Sequence, residues 1–211
     1  MRSEAFRPPL TLTGRYVELV PLERSHAPAL LEAARDPEVS RYLVRPVGPT
    51  LADVERLVGW ILERQADGTA LAFTTVLRAT GAVVGMTRFL DVNPEDDSVQ
   101  IGGTFLERAY WRTPLNTDAK LEMLRYAFET GRAHRVWLQT DVRNERSQAA
   151  IARLGALREG VHREDRRFPN GTYRSSVVFS ILACEWPQVR DRLRAAREQP
   201  WPGQPPAERP S

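Results

Sequence analysis

The chain has 211 residues, 42% of them hydrophobic and 27% charged, which suits one globular domain with a sizeable core and is too short for two comfortable ones. A formal charge of +3 and a pI near 9.4 are mild: they suit acidic small molecules or a ribosomal neighbourhood, whereas direct nucleic-acid binding would need a clustered basic patch. A single cysteine, Cys184, excludes an internal disulfide framework, and no apolar run approaches the roughly 20 residues of a membrane span, so a cytoplasmic protein without a signal peptide or membrane segment is expected.

Residues 1–9 read as a flexible leader, followed by a first strand carrying Tyr16, Val17, Leu19 and Val20. Ser25 can cap a helix with Leu30, Leu31 and Ala34 that ends near Asp36 and Pro37, and Thr50 with Asp53 opens a second helix presenting Val54, Leu57, Ile61 and Leu62. Residues 70–78 and 82–91 form a hairpin around Ala79-Thr80-Gly81, and an acidic turn at 93–97 precedes a strand from Ser98 to about Phe105. A central helix follows, with Leu121, Leu124 and Phe128 at helical spacing, Asn116 or Thr117 as its cap, and Gly131 at its end. A strand over 136–142 leads to Asn144, the cap of a helix through Ala150, Ile151 and Leu154 that Gly155 closes. Asn170-Gly171 marks a hairpin between strands near 160–168 and 173–182, and Trp186-Pro187 opens a last arginine-rich helix. A single domain over 10–199 and a Pro-rich disordered tail over 200–211 complete the organisation. The order of elements is α+β or mixed α/β.

The segment from Tyr110 to Lys120 is the most informative. Lys120 is the only lysine among 30 basic side chains, and it falls near the start of the central helix, where the dipole disfavours a cation. An anion seated among the free N–H groups of that turn would make the charge tolerable. A solvated lysine without function is the plain alternative. Cys184 ends an apolar run and reads as a buried structural thiol, and no His or Cys cluster has metal-ligand spacing, so no metal is expected.

The order of elements, with Tyr110-Trp111 before the central helix, Ile101-Gly102 on the strand and Asn144-Glu-Arg-Ser147 before the next helix, resembles the GNAT N-acetyltransferase superfamily. Gly14-Arg15-Tyr-Val-Glu-Leu, Leu154-Gly155-Ala and Glu159-Gly160-Val-His-Arg163 add to the likeness, which is nearest the ribosomal-protein alanine N-acetyltransferase branch. The resemblance implies a mixed, mostly antiparallel sheet of about seven strands flanked by helices, splayed between strands 4 and 5, with acetyl-CoA as donor. It places the pantetheine arm along Thr104, Phe105 and Leu106, with 138–140 across the gap, and the pyrophosphate at the helix start, held by the backbone of Thr113, Leu115, Asn116 and Thr117. The family's loop usually reads Gln/Arg-x-x-Gly-x-Gly/Ala, whereas Trp111, Pro114 and Asn116 stand at its three marked positions here. Pro114 has no N–H to donate. Either phosphate binding is weakened, or the side chains of Arg112, Thr113, Asn116, Thr117 and Lys120 compensate as donors.

Acetyl transfer needs a neutral amine, a stabilised oxyanion and a proton for the departing thiolate. A protein N-terminal amine has a pKa of roughly 7.7–8.0, so it needs less help than a lysine near 10.4. Gln100 stands where an acidic residue is common, which leaves a water relay to Asp141, Glu159 or another carboxylate as the base. By family analogy Asn144 holds the pantetheine, and Ser147, one helical turn on, donates the leaving-group proton; plain capping by both is the structural alternative. Tyr173 either reaches the acceptor or packs on its strand, and the apolar final strand over 177–182 could support a homodimer. The expectation is direct transfer within a ternary complex, with a protein N-terminus or a small amine as acceptor. A non-catalytic acyl-CoA-binding module and an RNA-associated protein are the competing classes.

Overall fold

Eight strands make one sheet in the order β1-β2-β3-β4-β5-β6-β8-β7, seen in a computed structural model that describes residues 1–198. The proline-rich tail expected from residue 200 lies outside the described residues. The strands are β1 (Leu12–Thr13), β2 (Val17–Pro21), β3 (Ala70–Leu77), β4 (Val83–Asn93), β5 (Ser98–Leu106), β6 (Arg135–Asp141), β7 (Leu157–Arg167) and β8 (Tyr173–Leu182). One strand more than expected arises because Leu12–Thr13 folds back antiparallel on β2, pairing Leu12 with Leu19. The other neighbours are antiparallel apart from β5 and β6.

Helices cover both faces, because each presents an apolar stripe that must be buried. On one face α1 (Ala27–Ala33) and α3 (Leu51–Ala66) pack Leu30, Val54, Val58 and Ile61 against Ala72, Met86 and Phe105. Thr50 and Asp53, expected to open this helix, form a capping box at the start of α3, and a short α2 (Pro37–Ser40) starts at the Asp36 cap. On the other face α4 (Leu115–Arg125) and α6 (Trp186–Glu198) contribute Leu121, Leu124, Val189 and Leu193 to a core with Phe73, Phe89 and Ile101. α5 (Glu145–Leu154) follows the Asn144 cap and ends, as expected, at Gly155, which takes a left-handed φ of +96°.

Several expectations are corrected. The leader is not loose: Ser3–Phe6 forms a turn of 3₁₀ helix, and Phe6 meets Phe89 edge-on at 5.1 Å. Arg2 N–H and Tyr126 Oη anchor it further by donating to Gly131 O and Ala5 O at 2.7 and 2.6 Å. One buried ring thus fixes a segment whose composition looks loose. The central helix changes to a π-helical turn at Tyr126–Thr130. Gly131 then faces Phe6, whose ring would lie 2.5 Å from any Cβ there. Cys184 is exposed, because the chain turns outward between β8 and α6. The apolar β8 lies between β6 and β7 rather than at an edge, and Val177, Phe179 and Ile181 are buried in the chain's own core, so the basis for a homodimer through it is gone.

Asp118 ties the two ends of the chain to α4. Its fully buried carboxylate accepts N–H bonds from Arg15, Tyr16 and Val17 at 3.0, 2.7 and 3.1 Å, and Arg197 of α6 approaches it at 3.5 Å. Gly14 is required beside it, since a Cβ there would stand 2.3 Å from the carboxylate.

Candidate active site

β5 and β6 run parallel but pair only over three positions, Ser98 with Arg135 through Gln100 with Trp137. Beyond Gln100 they part, and the gap opens into a cavity of about 230 Å³ lined by Ile101 to Leu106 on one side and Leu138 to Thr140 on the other. The expected splay is therefore present, numbered β5 and β6 because of the extra first strand. Glu107 N–H donates to Val84 O at 2.8 Å. The period of two along a strand accordingly turns the N–H of Leu106 toward the gap. The carbonyl of Leu106 accepts from Trp111 Nε1 at 2.9 Å, which pins the indole at the cavity wall.

The loop before α4 supplies the second element. Pro114, with no N–H of its own, takes the cap position and its carbonyl accepts Asp118 N–H at 2.8 Å. Leu115, Asn116 and Thr117 are thus the first three helical residues and have no intrahelical acceptor for their N–H groups. Thr113 Oγ1 donates to Tyr110 O at 2.7 Å and takes up the Leu115 N–H at 3.4 Å. The N–H groups of Asn116 and Thr117 remain for an anion. Arg112 enters the loop at φ +63°, a left-handed conformation in which an arginine is strained. The α5 side adds Arg146, whose guanidinium lies 3.2 Å above the Trp111 ring centroid, and Arg153; both line the cavity.

Of the residues singled out from sequence, Thr104, Phe105, Leu106, Trp111, Arg112, Thr113, Asn116, Thr117, Lys120, Asn144 and Ser147 all line this one cavity. Leu115 does not: its side chain is fully buried in the core. Neither Asn116 nor Thr117 caps α4, because the helix starts before them. Lys120 is neither solvated nor aimed at the helix start. It sits in the second turn, 4% exposed, and its Nζ donates at 2.7 Å to both Thr87 and Thr104 Oγ1. Burial pushes its pKa down from 10.5 to about 7. Helix periodicity alone could not show which way this side chain turns.

Asn144 Oδ1 accepts Ser147 N–H at 3.0 Å, so the capping role is realised while both residues also face the cavity. Both carboxylates considered as ends of a water relay are held by arginines. Glu159 is gripped by Arg135, whose hydrogen bonds hold it at about 2 against the effect of burial, with Ser180 assisting. Burial alone would raise the Asp141 carboxyl, but hydrogen bonds from the Arg143 side chain and backbone, helped by the Arg174 charge, keep it below its ordinary value. Neither carboxylate lines the cavity, and no Asp or Glu is among its lining residues. Tyr173 is 56% exposed and is not among the residues that line the cavity, so it is not packed on its strand. The reading from sequence missed Tyr42, Leu43, Arg146, Arg153 and Arg174, all of which line the cavity. Arg146 stood within the motif quoted around Asn144; nothing local distinguishes the others.

A strand-sized gap in a sheet, flanked by a helix start with free N–H groups and several arginines, defines an acyltransferase that takes an anionic, extended acyl carrier. The Acetyltransferase (GNAT) domain family matches residues 17–157. A candidate acetyltransferase from T. thermophilus is 40% identical, aligned over 90% of this chain and 97% of its own with a TM-score of 0.82. YdaF of Bacillus subtilis (strain 168), named as a candidate ribosomal N-acetyltransferase, is 30% identical over 106 residues, 50% of this chain and 57% of its own. RimJ of Mycobacterium smegmatis, solved in complex with CoA-disulfide, shares the fold at 22% identity and a TM-score of 0.77, over 89% of this chain and 95% of its own. The chain belongs to the GNAT acetyltransferases and is an acetyl-CoA-dependent N-acetyltransferase.

Proposed function

We propose that the acceptor is a protein N-terminal α-amine, acetylated by direct transfer in a ternary complex. The observation that carries this reading is the cavity lining: five cationic side chains and no carboxylate, with Gln100 buried next to the vertex of the splay. A site without a carboxylate base suits an amine with a reference pKa of roughly 7.7–8.0, already partly neutral near pH 7, and suits a lysine ε-amine poorly. The names of YdaF and of a candidate ribosomal-protein-serine acetyltransferase from Vibrio cholerae, a relative in fold, point the same way.

On this reading Thr104 and Leu106 present backbone to the pantetheine arm of acetyl-CoA, which supplies the acetyl group. The N–H groups of Asn116 and Thr117, with Arg112, Arg146 and Arg153, hold its phosphates. Leu106 N–H is available to the acyl oxygen, and Ser147 is the residue placed to give a proton to the leaving sulfur. Cys184, exposed beyond β8, lies outside the cavity and supports no covalent acyl-enzyme step. The test is release of free CoA thiol with peptides starting in Ala, Ser or Met, beside polyamines, aminoglycosides and a lysine side-chain amine. Turnover confined to the α-amines is expected; turnover with the side-chain amine and none with the peptides overturns the assignment.

A further inference from the structure

A group of arginines on the α3 face of the sheet is not used by anything above. Trp60 of α3 carries three guanidinia around its indole: Arg45 at 4.1 Å, Arg88 at 5.6 Å and Arg64 at 5.7 Å from the ring centroid. Arg45 and Arg64 are exposed; Arg88 is half-buried. It comes from the middle of β4, in register with Gly102, and its side chain lies flat on Gly103, where a Cβ would stand 2.2 Å from Nε. Gly103 accepts that contact at φ +56°, and both Gly102 and Gly103 line the cavity. The Arg88 Nε and Nη1 are buried and have no hydrogen-bond partner among the described residues.

This is an expensive arrangement. A buried donor left unpaired costs about 1–3 kcal/mol, and more when it is charged. Arg88 bears this with a second cation beside it. Burial first, and then the charge of Arg45, lowers its pKa to about 10, and Asp91 opposes them only in part. An indole face offsets some of the charge but accepts no N–H bond. Two guanidinia against one indole, neither in a salt bridge among the described residues, are stabilised by an oxyanion that reaches them. The cavity, which this group borders through Gly102 and Gly103, carries the same sign at Arg174, buried with Nε donating to Ser176 Oγ at 2.9 Å and Nη1 to Tyr42 O at 3.4 Å.

We propose that Arg88 and Arg45, over Trp60, form a recognition site for a carboxylate carried by the acceptor, so that the favoured substrate is a peptide N-terminus followed closely by acidic residues. The inference rests on the N-acetyltransferase reading and names its substrate class.

The experiment compares three peptides that share an N-terminal Ala and carry Asp-Glu, Gly-Gly or Lys-Lys next, together with free glutamate, using the full chain and acetyl-CoA. The expected order of kcat/KM is acidic, neutral, basic, with about a tenfold gap at each step that sits mainly in KM and narrows as salt rises. Arg88→Gln brings the acidic-to-neutral ratio close to one. Arg45→Gln, at an exposed position, reduces it about threefold. Calorimetry of the acidic peptide on the CoA-loaded protein gives the same ranking without turnover. Equal rates for the acidic and basic peptides, or a preference that survives both substitutions, overturn the anion site while leaving α-amine acetylation standing. Glutamate as the superior acceptor keeps the anion site and removes the peptide. Weaker calorimetric binding of the acidic peptide than of the neutral one refutes it outright.

Discussion

Lys120→Met stabilises the protein, and by an amount that shrinks as the pH rises. The ammonium of Lys120 is enclosed between α4 and the β4–β5 pair and meets two threonine hydroxyls but no carboxylate. Its fall from 10.5 to about 7 corresponds to about 5 kcal/mol of unfavourable free energy in the charged form, an upper bound. Below pH 7 the lysine is protonated both folded and unfolded, so the native state bears that whole cost. Between pH 7 and 10.5 the unfolded chain holds the proton and the fold does not, and stability therefore rises with pH in that window. Methionine fills a similar volume without charge, and Thr87 and Thr104, whose Oγ1 atoms are 2.8 Å apart, satisfy each other once the ammonium is gone. Urea unfolding of both proteins at pH 6 and pH 9 isolates the effect, because every other group titrates alike in the two. The methionine variant is more stable at pH 6, and its advantage falls by about 2.5 kcal/mol by pH 9. Parallel stability curves across that range, or an advantage that widens, would mean that Lys120 does not titrate there, and the buried ammonium would lose its energetic reading.

Three further expectations follow from the same contacts. Asp118→Asn places an NH₂ group among backbone donors that now share one carboxylate, and lowers stability by about 2–4 kcal/mol in urea unfolding; a loss under 0.5 kcal/mol would show that the carboxylate does not tie the N-terminal strands to α4. Arg112→Gly relieves the left-handed strain at φ +63° and raises stability by about 1 kcal/mol while weakening acetyl-CoA binding several-fold by calorimetry. Both quantities moving in the same direction would contradict the division of that residue between strain and phosphate contact. Ser147→Ala leaves stability within about 0.5 kcal/mol, since the cap bond to Asn144 uses the Ser147 backbone, but lowers kcat about 10- to 100-fold at saturating acceptor. An unchanged kcat removes Ser147 from proton transfer.

Elements whose signal is local were legible from sequence. The helix start at Thr50 and Asp53, the cap at Asn144 and the helix end at Gly155 each depend on residues within one helical turn, and each stands where the sequence places it. The splay was legible only through the resemblance, because a missing ladder is a relation between two strands about 35 residues apart and leaves no periodicity of its own. What failed had long-range causes. Phe6 is buried because Phe89 and Tyr126 wait for it, and Glu159 is unavailable because Arg135, distant in sequence, holds it. Lys120 misled through rotation: a shift of some 100° per residue decides whether a helical side chain meets the loop or the sheet.

The departures at Trp111, Pro114 and Asn116 form one change rather than three. A glycine-rich loop offers phosphate only backbone N–H groups, which carry no net charge and need close approach. Pro114 removes one such donor and sets the start of α4. Trp111 stands where the family carries Gln or Arg, and with its Nε1 pinned on Leu106 O it becomes a platform on which Arg146 is stacked. Neutral backbone donors are thereby exchanged for cations aligned by an aromatic ring. The exchange has a consequence that a glycine loop does not share: affinity for acetyl-CoA falls with ionic strength, because Arg112 and Arg146 contribute charge at a partly open surface. Titrations at 0.05 M and 0.5 M NaCl separate the two designs. A dissociation constant that rises about tenfold supports the arginine-based loop, whereas a constant unchanged over that range would mean that backbone N–H groups still do the binding and that Trp111 only fills space.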